Sequence, residues 1–70
     1  MRFSRHAKNW ARQHGFTVAD AEEVIAHPLR VDSDGKGKPR YTGYIAGVRV
    51  RIVVALDEPD LIVTIHVRRR

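Results

Sequence analysis

Residues 48–56, Val-Arg-Val-Arg-Ile-Val-Val-Ala-Leu, open with strict alternation of branched apolar and charged side chains and close as a continuous apolar run. A period of two marks a β-strand with one buried face. Such a strand puts Val48, Val50, Ile52 and Val54 on one side and turns Arg49 and Arg51 to the other. A slip of one residue would drive arginines into the core, so the register with neighbouring strands is tightly specified.

The flanking segments supply those neighbours. Ala46-Gly47 fits a two-residue hairpin turn, and Asp57-Glu58-Pro59-Asp60 fits a four-residue one. Strands at about 40–45, 48–56 and 61–68 then pair Ile45 with Val48, Tyr44 with Arg49 and Thr42 with Arg51. On the other side they pair Arg49 with Arg68, Arg51 with His66, Ile52 with Ile65, Val54 with Val63 and Leu56 with Leu61. In this register Ile45, Val48, Val50, Ile52, Val54, Leu61, Val63, Ile65 and Val67 share one face.

Two helices precede the sheet. Ser4 fits an N-cap for a helix over 5–14, with Ala7, Trp10, Ala11 and His14 on one stripe and Gly15 at the left-handed C-terminal position. Trp10 on this stripe reads as a core residue. Thr17, followed by Asp20, fits the start of a second helix over 18–27, which stops before Pro28. Residues 28–39 read as a hydrophilic loop, with Leu29 and Val31 pairing briefly with a sheet edge. The expected architecture is one α+β domain spanning 1–70, with two N-terminal helices packed on a three- to four-stranded antiparallel β-meander. A monomer is expected unless an edge strand at 41–45 pairs with a second copy.

Seventy residues bury only about 60% of the unfolded surface, so the core is thin. The chain contains no cysteine, which excludes disulfides and thiolate metal sites and fits a reducing compartment. It holds no apolar run long enough to span a membrane and no signal-peptide pattern, so a cytoplasmic location is expected. The histidines and carboxylates show no metal-ligand spacing, and no Gly-rich phosphate loop precedes a helix; neither a metal nor another cofactor is expected.

The net charge of +5 is unevenly placed. Arg2, Arg5, Lys8 and Arg12 make the first helix region basic, the second helix is acidic, and Lys36, Lys38, Arg40, Arg49 and Arg51 make the sheet region basic again. Segregated basic surface favours a polyanion such as RNA. On the sheet face opposite the core, Thr42, Arg51 and His66 form one row and Tyr44, Arg49 and Arg68 the next. Like charges set side by side across strands repel, so a sequence selected for stability alone would alternate signs there. Arginine forks bind phosphate in a bidentate manner, histidine moves protons near neutral pH, and tyrosine stacks on bases. His66, His6 and Arg51 are the candidate catalytic residues. Arg49, Arg68, Thr42, Tyr44, Arg5 and Lys8 are the candidate phosphate or RNA contacts. A solvated face lined with long arginine side chains is the structural alternative.

The order Phe3-Ser4-x-His6-Ala7, the Gly15 stop, the Thr17-capped helix ending at Pro28, the Asp34-Gly35-Lys36-Gly37 turn, Tyr41-x-Gly43 and the final Leu61-Ile62-Val63-Thr64 strand resembles a family of small bacterial domains. That family is similar to the barnase–EndoU–colicin–RelE-like group of metal-independent ribonuclease toxins. The resemblance covers nearly the whole chain and implies a RelE-like fold with its site on the exposed sheet face, where His6 matches the family's helix-1 histidine. The chain departs from the pattern at Trp10 and His14, where arginine is expected. The resemblance implies a toxin-like endoribonuclease acting on RNA, ribosome-associated or free, and held by an acidic antitoxin or immunity protein. The alternative is a non-catalytic module binding RNA or protein.

Overall fold

The computed structural model describes residues 1–67. Its elements run β1 (Arg2–Phe3), α1 (Arg5–His14), α2 (Val18–Ala26), β2 (Arg30–Ser33), β3 (Pro39–Ile45), β4 (Val48–Val54) and β5 (Leu61–Val67). The two helices lie on one face of a five-stranded mixed sheet of order β1-β5-β4-β3-β2.

Each helix has the caps its sequence implies. The Ser4 hydroxyl accepts from Ala7 N–H, and Gly15 closes α1 at φ 72°. Thr17 and Asp20 form a reciprocal capping box at the start of α2, each side chain bonding the other's backbone N–H. Ala7 and Ala11 of α1 and Ala21 and Val24 of α2 are buried against Ile45, Val50, Ile52, Val54, Ile62 and Ile65. Trp10 is half-buried and stacks on His14, with ring centroids 4.2 Å apart.

The β3–β4 hairpin has the expected register, from Ile45↔Val48 to Thr42↔Arg51 and on to Arg40↔Val53. Its turn places both Ala46 (φ 51°) and Gly47 (φ 79°) in the left-handed region, a twist that matches the strands. The β4–β5 pair holds Arg51↔His66, Ile52↔Ile65 and Val53↔Thr64, then slips to Val54↔Ile62. That bulge reverses the expected facing of the start of β5. Ile62, not Leu61 or Val63, enters the core, while Leu61 and Val63 are half-buried. Val48, also expected on the core face, is exposed beside the turn.

Three further expectations are corrected. The sheet is not a purely antiparallel meander of three or four strands, because β1 adds a parallel edge strand to β5. This pairing is fastened by Arg2 N–H to Asp60 O and Ser4 N–H to Ile62 O. The segment 28–39 is not merely a loop: it carries β2, paired with β3 from Arg30↔Thr42 to Ser33↔Pro39. The connection that remains is organised by Asp34, whose carboxylate accepts from the N–H groups of Lys36 and Lys38. Those two hydrogen bonds hold the Asp34 carboxyl below its ordinary pKa. Consequently 41–45 is an interior strand, and the sheet's free antiparallel edge is β2. No helix among the described residues is long and apolar enough to cross a membrane.

Candidate functional site

The candidate site grows from the alternation of β4. Val50 and Ile52 are fully buried beneath the helices, so Arg51 between them, and Arg49 before them, face the other side of the sheet. Cross-strand pairing then fixes their company. One row reads Arg30, Thr42, Arg51, His66 across β2, β3, β4 and β5. A second reads Asp32, Arg40, Val53, Thr64, and on the other flank Tyr44 pairs with Arg49.

Among the described residues, the paired positions of β2–β5 on this open face carry Arg30, Arg40, Arg49 and Arg51 against one carboxylate, Asp32. Arg40 grips Asp32 with two hydrogen bonds, Nε to Oδ1 at 2.8 Å and Nη2 to Oδ2 at 3.0 Å. The Arg40 hydrogen bonds, followed by the charges of Arg40, Arg30 and Arg51, hold the Asp32 carboxyl below its ordinary pKa; partial desolvation opposes them. The same pairing raises Arg40. Among the described residues, the one carboxylate at the paired positions thus sits on the β2 flank, where Arg40 grips it, while Arg49, Arg51 and His66 occupy the β4–β5 flank.

Accessibility sorts the candidates further. Arg49 and His66 are exposed, Arg51 is half-buried, and Tyr44 is 57% exposed. Thr42 is only 3% exposed, between Arg30 and Arg51 in its row, so it does not present its hydroxyl to a ligand. His6, Arg5 and Lys8 all belong to α1, in the helical layer on the far side of the sheet. The structure therefore separates His6 from Arg51 and His66, because the sheet stands between them. Arg68, expected beside Arg49, lies outside the described residues. Among the described residues, no group of three or more His, Asp or Glu side chains is gathered to hold a metal ion.

Sequence reading missed Arg30, Asp32 and Arg40. The signal was present: Arg30-Val31-Asp32-Ser33 alternates, and Asp34-Gly35-Lys36-Gly37 is a turn leading into β3. Reading 28–39 as a loop with only brief edge pairing at Leu29 and Val31 left Arg30 and Asp32 off the face, Asp32 being the one acid at its paired positions among the described residues.

Comparison with protein-family models, with curated proteins and with solved structures finds no match to this chain.

Proposed function

We propose that the open sheet face binds single-stranded RNA. The observation that supports this most is the shared orientation of Arg49, Arg51, His66 and exposed Tyr44 on the side of the sheet away from the helices. Guanidinium forks hold phosphates, and an aromatic ring on an open sheet offers a stacking platform for a splayed base. The net charge of +5 adds long-range attraction. Fluorescence anisotropy with a short labelled RNA, across about 50–200 mM salt, tests the reading. Affinity should fall steeply with salt, and an Arg49→Ala/Arg51→Ala double variant should bind at least about 10-fold more weakly, as loss of two charged contacts implies. Unchanged binding by that variant would sink the assignment.

A second reading is a RelE-like, metal-independent endoribonuclease, favoured by the direct cross-strand pairing of Arg51 with His66. In this reading His66 takes the proton from a ribose 2′-hydroxyl, whose oxygen attacks the adjacent phosphorus to form a 2′,3′-cyclic phosphate as the 5′-oxygen departs and takes a proton from solvent water. Arg51 stabilises the charge that grows on the phosphoryl oxygens. His6 takes no part, since it sits in the other layer. An acidic antitoxin-like protein covering the basic face would hold such an enzyme in check. Incubation of RNA with the protein in EDTA, beside an Arg51→Ala/His66→Ala variant, separates the two readings. Cleavage by the parent alone supports the enzyme, and salt-sensitive binding without cleavage supports the binding module.

A further inference from the structure

The strand β2 ends the sheet, and its backbone shows which groups it leaves unpaired. Pro39 opposes Ser33 and has no N–H, while Asp34 N–H donates to Lys38 O. Ser33/Pro39 is therefore a non-hydrogen-bonded pair, and by the antiparallel alternation so is Val31/Tyr41. Arg30 and Asp32 thus bond inward to β3, and the N–H and C=O groups of Val31 and Ser33 point outward from the edge. Two large apolar side chains accompany them: Leu29 is 67% exposed and Val31 55%. Arg30 and Asp32 alternate with these residues on the open face of the sheet.

We propose that β2 pairs antiparallel with β2 of a second copy of this chain, about a two-fold axis through Val31 and perpendicular to the sheet. Four registers centred on residues of β2 keep both open faces on the same side. Centring on Arg30 sets arginine against arginine, centring on Ser33 sets Asp32 against Asp34, and centring on Asp32 sets aspartate against aspartate although it also brings Arg30 to Asp34. Centring on Val31 sets Arg30 of each copy against Asp32 of the other, and of the four only this register opposes unlike charges without also opposing like ones. It also makes Val31 a hydrogen-bonded pair with its own counterpart, using the outward N–H and C=O. Val31 meets Val31 on the helix side, where its apolar surface is otherwise exposed. The result is a continuous ten-stranded sheet whose two basic faces adjoin, and it stands whether or not that face binds RNA.

Four residues of edge make a small contact, so the dimer should be weak, with Kd on the order of 10–100 µM. Sedimentation velocity of the full chain from about 10 µM to about 1 mM should show a shift from monomer to dimer. Val31→Pro removes the outward N–H and leaves the inward bonds of β2 intact, as proline on an edge strand allows. Arg30→Asp opposes like charges while sparing the Asp32–Arg40 pair. Each variant, shown folded by circular dichroism, should remain monomeric at the highest concentration. Mixing Arg30→Asp with Asp32→Arg should restore a heterodimer, since both cross-copy pairs are then of opposite sign. A parent that stays monomeric at about 1 mM, or a dimer that survives both Val31→Pro and Arg30→Asp, overturns the proposal. Those two variants are decisive even where Asp32→Arg, which breaks the pair with Arg40, fails to fold.

Discussion

The Arg40 guanidinium spans from β3 to β2 to clamp both carboxylate oxygens of Asp32, at 2.8 and 3.0 Å, and so fastens the edge strand while cancelling charge on one flank of the basic face. Its two effects oppose each other in function, and Asp32→Asn separates them. Amides of β2 should exchange with solvent faster than in the parent, because the clamp no longer holds the edge. RNA affinity at low salt should rise, because the face gains one net positive charge. The acid limb of unfolding should change as well. The folded carboxyl titrates below its ordinary value, so its stabilisation is complete above the ordinary carboxylate range, near pH 4, and is lost as pH falls below it. The variant should therefore lose less stability than the parent over that acid window, measured by urea unfolding at a series of pH values. Equal acid sensitivity would show that the clamp contributes nothing to folding.

Ser4 performs two tasks with one hydroxyl. It accepts from Ala7 N–H at 3.1 Å to cap α1, and donates to Val63 O at 2.7 Å, at the residue the β5 bulge leaves over. Ser4→Ala should cost about 1.5–3 kcal/mol, the loss of a cap plus a part-buried hydrogen bond. Ser4→Asp keeps the cap acceptor but cannot donate to the carbonyl, so thermal denaturation should place it between the parent and the alanine variant. Full stability in Ser4→Ala would mean the bulge needs no such tie.

Gly43 lets α2 approach β3. A Cβ at this position would lie 2.8 Å from Val24 Cγ1, inside van der Waals contact with a buried, β-branched side chain. Gly43→Ala should therefore destabilise by about 1–3 kcal/mol through overpacking. Val24→Ala alone leaves a small cavity, but combined with Gly43→Ala it should recover part of the loss. A double-mutant cycle checks this, and an additive result would place the cost of Gly43→Ala somewhere other than this contact.

The legible parts of the sequence were those where local pattern and tertiary demand agree. The alternation at Val48–Val54 and the Ala46-Gly47 turn specified the central hairpin, and with it the row Thr42, Arg51, His66. The caps at Ser4 and Thr17 specified both helices. Two kinds of information were not local. The two-residue strand β1 exists only because the chain returns beside β5, with Arg2 meeting Glu58 and Asp60 of the far turn, a contact nearly sixty residues away in sequence. The bulge at Val63 lies in an unbroken run, Leu61-Ile62-Val63, where either parity is apolar and periodicity cannot choose. The layer of His6 was likewise set by packing, since Ala7 and Ala11 turn α1 onto the face opposite Arg51.

Tyr44 and Arg49, paired across β3 and β4, allow stacking and charge to be told apart in the proposed RNA interface. Tyr44 is largely exposed on the open face, and its ring can stack without neutralising a phosphate. Tyr44→Leu retains apolar bulk on a strand and removes the flat π surface. It should weaken RNA binding by about 1–3 kcal/mol while leaving the dependence of log affinity on log salt unchanged. Arg49→Ala should weaken binding and also flatten that slope by about 0.7, the share of one phosphate contact on a single strand. Anisotropy titrations at several salt concentrations distinguish the two. If Tyr44→Leu flattens the slope, or Arg49→Ala leaves it untouched, the bases and phosphates do not lie where the face would place them. Stacking on Tyr44 beside phosphate on Arg49 would then have to give way to a contact elsewhere on the molecule.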